Sequence, residues 1–339
     1  MRILFYAGYQ VDPFDSNTET GLAGTEIAII KVAEELVKFG HHIIVSGQVK
    51  SSGIINGVEW ISTEDLHQKY FNKLDVIVSA SYIHFLKEFE KYNAKKIFWA
   101  HNTHHHSWWN GKVLSDADEL TKHADHTVCL TKWHANQWAN LYGIDKDKIS
   151  IIGNGIDPAS FIGCPEKIKG RFIWTSAKSR GLSELINNWP KIKSVLPHAT
   201  LDVYTPEYDM VVSGEFKLEG LKDIRFMGSV DQITLHDAML RAEYWCYVTD
   251  YEETYCITAI EMQYARVLPI VTRVAALSET VNSGILLDRN ETNWNQVVKI
   301  LDTLGNELKD KSIDASFQWA KQQTWDARSY DWKYLLEAI

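Results

Sequence analysis

The sequence predicts two α/β domains in tandem, each a parallel sheet flanked by helices. Three observations carry this expectation. A chain of 339 residues is long for one ordinary core and suits two domains of roughly 150 residues each. In both halves short apolar runs alternate with segments of helical periodicity, the pattern of strands joined by crossover helices. Between the halves lies Gly153-Asn154-Gly155-Ile156-Asp157-Pro158, where glycine, asparagine and proline mark a turn. The chain stays irregular from there to about Gly170, so the expected domains are 1–157 and 158–324, with a last aromatic-rich helix over 325–339.

The elements follow in order. Residues 3–7 read as a strand, and 25–39 as an amphipathic helix stopped by Gly40. Further strands are expected over 42–46, 75–79, 96–100, 127–130 and 149–152. The second alternation starts with a strand at 172–174 and a helix at about 181–195. Strands at 201–204 and 224–227 come next, then a helix over 234–242 and a buried strand over 244–248. Strands over 269–271 and 285–287 and helices over 293–304 and 312–323 complete it. In tandem sheets of this kind, ligands bind beyond the C-terminal ends of the strands, and two such domains facing each other make a cleft.

Composition narrows the function. An apolar fraction of 45% and a charged fraction of 23% are those of a soluble globular protein. A net charge of −9 argues against a general nucleic-acid binder. Cys129, Cys164, Cys246 and Cys256 are scattered and form no Cys-x-x-Cys pair. They read as reduced structural thiols rather than a disulfide framework or a zinc site. No run approaches the length of a membrane span, and Met1-Arg2 leads directly into a strand-like run, so the expectation is a cytoplasmic protein. No basic amphipathic helix is evident near the N-terminus, and membrane docking stays open.

The most informative stretch is Glu253-Thr254-Tyr255-Cys256-Ile257-Thr258-Ala259-Ile260-Glu261. It follows the buried strand and a polar break, Thr249-Asp250-Tyr251-Glu252, so it reads as a loop opening a helix. Glu253 is expected at the helix mouth and Glu261 two turns inside, about 10 Å apart. The amides between them are donors of a helix N-terminus, suited to an anion. A hydroxyl acceptor, an anion site and a second hydroxyl acceptor are the order that a nucleotide sugar needs. From spacing alone, an ordinary strand-loop-helix unit with two exposed acids fits equally.

Other constellations lie at the same expected strand edges. Lys178-Ser179-Arg180-Gly181 follows a strand, and two cations before a glycine suit a diphosphate, though a solvated helix start is the plainer reading. Gly21-Leu22-Ala23-Gly24-Thr25-Glu26 lies between the first strand and helix, where glycine lets backbone approach a ligand or simply loosens a surface loop. His101 follows a strand and can hydrogen-bond a substrate hydroxyl or phosphate. His104-His105-His106 are consecutive and do not converge on one ion, so no metal site is expected. Trp108-Trp109 beside them can line a cleft. Ala275-Ala276-Leu277-Ser278-Glu279 follows another strand and offers further amides, with Glu279 read as an exposed first-turn acid. No Gly-x-Ser-x-Gly elbow and no His-Glu-x-x-His is present, which argues against acyl transfer and covalent hydrolysis.

Together these residues resemble the retaining glycosyltransferase family called glycosyl transferases group 1, which has the GT-B fold. The resemblance covers nearly the whole chain. Residues 253–271 resemble the family's Glu-x7-Glu signature followed by a small-residue turn and Pro-Val-Val, here Pro269-Ile270-Val271. Asn154-Gly155-Ile156-Asp157 resembles the interdomain Asn-Gly-[Val/Ile]-Asp, and Gly24-Thr25-Glu26 the N-terminal glycine loop.

The resemblance implies two Rossmann-like domains facing a cleft, with the last helix crossing back to the first domain. It implies that Glu253 binds donor-sugar hydroxyls and Glu261 the ribose. Thr254, Tyr255, Cys256 and Ile257 meet the diphosphate and sugar, with Gly24 also on the donor side. Arg180 takes the place of the usual phosphate lysine, and His101 reaches the donor sugar or its phosphate. Base recognition falls to backbone at Met227-Gly228-Ser229-Val230. Three positions depart from the family pattern. Thr175 stands where an arginine is usual, so Lys178 substitutes; Arg266 replaces a glycine, and Ala23 the first glycine of the N-terminal pair. The implied reaction moves a sugar from a UDP- or GDP-sugar to a hydroxyl of a glycan, lipid-linked or protein-linked acceptor. It proceeds with retention and without cofactor or metal. The rivals are an epimerase or inverting enzyme of the same fold, and a non-catalytic nucleotide-sugar binder. A nicotinamide dehydrogenase is disfavoured, because neither half carries Gly-x-Gly-x-x-Gly.

Overall fold

The computed structural model describes residues 1–8, 12–19, 21–104, 122–205, 223–289 and 293–339. It divides into two compact units, Met1–Gly155 with Trp325–Ile339, and Ile156–Thr324.

The first unit is built on an eight-stranded sheet. Its strands are β1 (Arg2–Gly8), β2 (His42–Gly47), β3 (Gly53–Ile55), β4 (Val58–Ser62), β5 (Val76–Ala80), β6 (Lys95–Trp99), β7 (His126–Cys129) and β8 (Ile149–Ile151). The order is β3-β4-β2-β1-β5-β6-β7-β8, parallel throughout except for β3, which runs antiparallel to β4. Only Arg2 of β1 is exposed, because helices cover both faces of a parallel sheet and central strands are apolar on both sides. Helices α1 (Gly24–Val37), α2 (Thr63–Tyr70) and α3 (Lys132–Tyr142) pack around it.

The β3–β4 hairpin and α2 are additions to the expected element list. The turn is Asn56-Gly57, with φ of 50° and 81°. Two successive left-handed residues match the right-handed twist of the flanking strands, which is why Asn-Gly is favoured there. The chain's last helix, Trp325–Ala338, also belongs to this unit. It buries Trp325, Ser329, Trp332 and Leu336 at helical spacing. The Trp332 ring stands edge-on to Phe5 at 5.8 Å and to Trp99 at 4.9 Å. Among the described residues no helix is long and apolar enough to cross a membrane.

The second unit holds a six-stranded sheet. Its strands are β9 (Arg171–Trp174), β10 (Thr200–Val203), β11 (Ile224–Phe226), β12 (Tyr244–Tyr247), β13 (Leu268–Thr272) and β14 (Ile285–Leu287). The order is β11-β10-β9-β12-β13-β14, all parallel. The helices are α4 (Leu182–Val195), α5 (Gln232–Arg241), α6 (Ile257–Tyr264), α7 (Leu277–Thr280), α8 (Asn293–Thr303) and α9 (Asn306–Ala320). All four residues of β12 are buried, and Trp245 stacks on Tyr247 with ring centroids 5.0 Å apart. This strand is the spine of the second core.

Candidate active site

The strand order of the second unit creates the site. From β9 the chain winds outward through β10 to β11, then returns to pair β12 on the other side of β9. Loops leaving the C-terminal ends of β9 and β12 therefore depart in opposite directions and open a crevice between them. Residues 175–181 line one side and residues 248–256 the other.

Gly181 brings the two sides together. It has φ of +116°, and a Cβ there would stand 3.1 Å from the Val248 carbonyl oxygen. A side chain would strain the backbone and push the loops apart. Just before it, Lys178–Arg180 form a short 3-10 turn that buries Lys178 and leaves Arg180 half-buried.

Glu253 is 5% exposed, unlike the exposed acid of the plainer sequence reading. Its Oε1 accepts hydrogen bonds from Tyr247 Oη at 2.6 Å and Arg180 Nη1 at 2.8 Å. The guanidinium also lies over the Tyr251 ring, 4.6 Å from its centroid, a cation–π contact. Burial works against the charge of Arg180, but the Glu253 carboxylate offsets it and the guanidinium pKa ends above its usual value. Burial, then the same carboxylate, push the Tyr247 phenol up, so it stays protonated and donates.

The helix that follows starts later than expected. α6 begins at Ile257, not near Glu253, so Glu261 lies one turn inside the helix rather than two. The reason is local. Cys256 is the N-cap in a left-handed conformation, φ 69° and ψ 81°, and its side chain makes no capping hydrogen bond. The Ala259 amide donates to the Cys256 carbonyl at 3.0 Å, while the Ile257 and Thr258 amides stand ahead of it, at the end of the helix that carries the positive pole. Burial, then the Glu253 charge, hold the Cys256 thiol well above its ordinary pKa, so no thiolate competes for those amides.

Glu261 points to different neighbours from Glu253. His236 Nε2 on α5 lies 3.2 Å from Glu261 Oε1. The small-residue turn after β13 also differs from expectation. Its helix α7 has only four residues. The Ala276 amide donates to the Glu253 carbonyl at 3.1 Å, and the Leu277 amide to Val274 at 3.1 Å. The first of these amides holds the Glu253 backbone, and neither is a spare donor for an anion. Gly228, Ser229 and Val230 lie in the loop between β11 and the Asp231 cap of α5, at the same strand edge.

The remaining candidates belong to the first unit. Gly24 is the first residue of α1. Burial raises the Glu26 carboxyl, and its hydrogen bond from the Ala23 amide lowers it in part, the reciprocal half of a capping box. His101 follows β6 with its ring 4.5 Å from Trp99. Burial, then the charge of His134, lower its pKa to about 3, so it is a neutral imidazole at physiological pH. Leu130 N donates to His134 Nδ1 at 3.2 Å, so Nε2 carries the hydrogen and donates to the Asn102 carbonyl at 2.8 Å. Trp138 Nε1 reaches the same carbonyl at 2.9 Å. Together they pin the segment that carries His101. Thr103 Oγ1 lies 2.8 Å from His104 Nδ1, while His105, His106, Trp108 and Trp109 lie outside the described residues.

Sequence reasoning missed Tyr247, Tyr251, His236 and Phe161. Tyr247 ends an apolar strand and carried no signal beyond core filling. His236 has no motif around it, and only the packing of α5 on α6 gives it a partner.

Comparison with known proteins agrees with this fold. Residues 58–160 match the family model described as Glycosyltransferase Family 4. No curated protein matches the chain by sequence. Among solved structures, sucrose-phosphate synthase from Thermosynechococcus elongatus superposes with a TM-score of 0.77 at 15% identity, over 99% of this chain and 98% of that one. Anabaena HepE in complex with UDP-glucose gives 0.74 at 12% identity over 100% of both chains. WaaG, a glycosyltransferase involved in lipopolysaccharide biosynthesis, gives 0.69 at 12% identity over 99% of both. The superpositions show the GT-B fold, and within the first unit residues 58–160 are similar to a glycosyltransferase family model.

Proposed function

We propose that the protein transfers a hexosyl group from a UDP- or GDP-sugar to an acceptor hydroxyl, with retention at the anomeric carbon and without a metal ion. The observation that carries this reading is the Arg180–Glu253–Tyr247 cluster at the strand reversal, beside the N-terminus of α6. Glu253 keeps Oε2 for sugar hydroxyls while Oε1 holds Arg180 and Tyr247. Arg180 has five N–H donors, so one can hold Glu253 while others meet the diphosphate. Lys178 and the amides of residues 254–257 add to the positive field there. The field favours the charge that develops on the departing diphosphate.

In the transfer step the anomeric C–O bond to phosphate breaks and a C–O bond to the acceptor forms on the same face. The acceptor proton passes to a diphosphate oxygen. Glu261 takes the ribose hydroxyls, and Gly228, Ser229 and Val230 present backbone to the base. The acceptor is a glycan, free or carried on lipid or protein. The UDP-glucose complex of HepE makes uridine donors the first to test.

The test is transfer from UDP- and GDP-sugars to an oligosaccharide acceptor panel in the presence of EDTA, with the product anomer read by NMR. Retained configuration and EDTA-insensitive turnover support the reading. An inverted product, or nucleotide-sugar binding with neither transfer nor hydrolysis, overturns it.

A further inference from the structure

We infer that His236 is a positioning residue for the nucleotide site, acting by orienting the Glu261 carboxylate; this rests on the reading of Glu261 as the ribose ligand. The side chain of His236 is 5% exposed and that of Glu261 14% exposed. Their 3.2 Å contact is therefore made largely out of water, where a hydrogen bond to a charged group is stronger than at the surface. An ionised carboxylate only accepts, so His236 Nε2 is the donor. Its Nδ1 is buried and has no hydrogen-bond partner among the described residues. The ring therefore has one directional tie, and that tie is Glu261.

Packing holds the ring in that orientation. The Phe161 ring stacks on His236 with centroids 4.1 Å apart and an interplanar angle of 15°. Phe161 itself packs edge-on against Tyr264, at 4.8 Å, one turn of α6 beyond Glu261. Phe161 is placed by the turn that begins the unit. Asp157 caps the short 158–160 helix through Oδ1, which accepts from the Ala159 amide at 3.1 Å. The Phe161 amide closes that helix on the Pro158 carbonyl at 3.2 Å. A continuous set of contacts thus runs from the Asp157 turn through Phe161 and His236 to Glu261. It ties the end of the Asn154-Gly155-Ile156-Asp157 motif to the donor site by side-chain stacking.

Glu261 lies inside a helix, so its carboxylate can swing among rotamers unless something selects one. His236 selects the rotamer; the carboxylate then meets the ribose without reordering on binding, which favours affinity. His236 itself touches no substrate.

The experiment measures dissociation constants of UDP and GDP against their 2′,3′-dideoxy forms, for the full chain and for H236F, H236Q and E261A, with thermal unfolding as a folding check. The wild type should prefer the ribose form by about tenfold or more, as expected for a hydrogen bond to a charged group. E261A and H236F should both lose most of that preference, while H236Q, which keeps an N–H donor, should retain much of it. In turnover, H236F should raise KM for the donor with kcat little changed. If H236F folds and keeps the preference that E261A loses, the role of His236 is refuted and that of Glu261 stands. If the wild type binds UDP or GDP without discriminating the dideoxy forms, or binds neither, the ribose reading of Glu261 fails and the His236 role fails with it.

Discussion

Arg180 and Glu253, separated by 73 positions in the chain, meet in a 2.8 Å ion pair at the point where the strand order reverses. The pair makes the proposed sugar acid and the proposed phosphate cation one unit. The Glu253 side chain is 6% exposed and that of Arg180 35%, so the carboxylate depends on its partners more than the guanidinium does. R180Q and E253Q should each abolish sugar transfer and each lower stability by about 1–3 kcal/mol, the range for hydrogen bonds to buried charges. In urea unfolding, the double variant should cost clearly less than the two singles together, because the second change removes a group already deprived of its partner. Strict additivity would show that the two side chains do not depend on each other.

Cys256 holds a left-handed conformation, φ 69°, at the cap of α6. Such a conformation costs an L-residue roughly 1–2 kcal/mol, and glycine is free of that cost. C256G should therefore fold at least as stably as the wild type. C256V should be destabilised and poorly active, because a β-branched residue at positive φ is an outlier. Unfolding midpoints of the two variants, taken with donor affinity, check this; a C256V protein as stable as C256G would contradict it.

Arg266 poses a similar question on the far side of α6. It too has a positive φ, 59°, at the position where the group 1 pattern has glycine. Its side chain offsets part of the backbone cost by an ion pair to Asp314 at 2.6 Å and by lying over the Phe317 ring at 4.4 Å. R266A removes both contacts and keeps the strain, whereas R266G removes the contacts and the strain together. We expect R266G to be the more stable of the two by about 1 kcal/mol, with transfer activity unaffected in both. Equal stability would show that the backbone there is not strained.

Burial lowers His101 to about 3 and His134 to about 4, in His101 with a further contribution from the His134 charge. In the unfolded chain both protonate near 6.5. Below that pH the unfolded state binds more protons than the folded one, so stability falls as pH drops from about 6.5 toward 4. The slope approaches 1.4 kcal/mol per pH unit for each group. H134Q removes one such group. The stability gap between wild type and H134Q should narrow as pH falls from 7.5 to 4.5, read from urea midpoints across the range. A constant gap would mean that His134 takes up its proton in the folded state as readily as in the unfolded one.

Much of the architecture was legible in the sequence because it rests on local signals. Apolar runs such as Ile3-Leu4-Phe5-Tyr6 and Tyr244-Trp245-Cys246-Tyr247 can be strands only inside a covered sheet, and the helical periods between them require parallel crossovers. The residue types of the candidate site stood out for the same reason: Glu253, Arg180 and Glu261 stand in chain segments that follow strand ends. The β3–β4 hairpin was missed although Asn56-Gly57 announces it, since its strands are short and only β4 is buried.

What the sequence alone determined is therefore the order of the elements and the chemistry set at their ends. Which of those ends face each other was decided by the tertiary structure. Placing β12 beside β9 rather than beside β11 brings the Arg180 and Glu253 loops together, and the packing of α5 on α6 makes His236 a partner of Glu261. The left-handed cap at Cys256 moved the helix start as well, leaving Glu253 in the loop, where it joins Arg180 and Tyr247. The physical reason is that strand and helix formation read neighbours a few positions apart, whereas strand order and side-chain pairing depend on how distant segments share one core, and no local pattern encodes that.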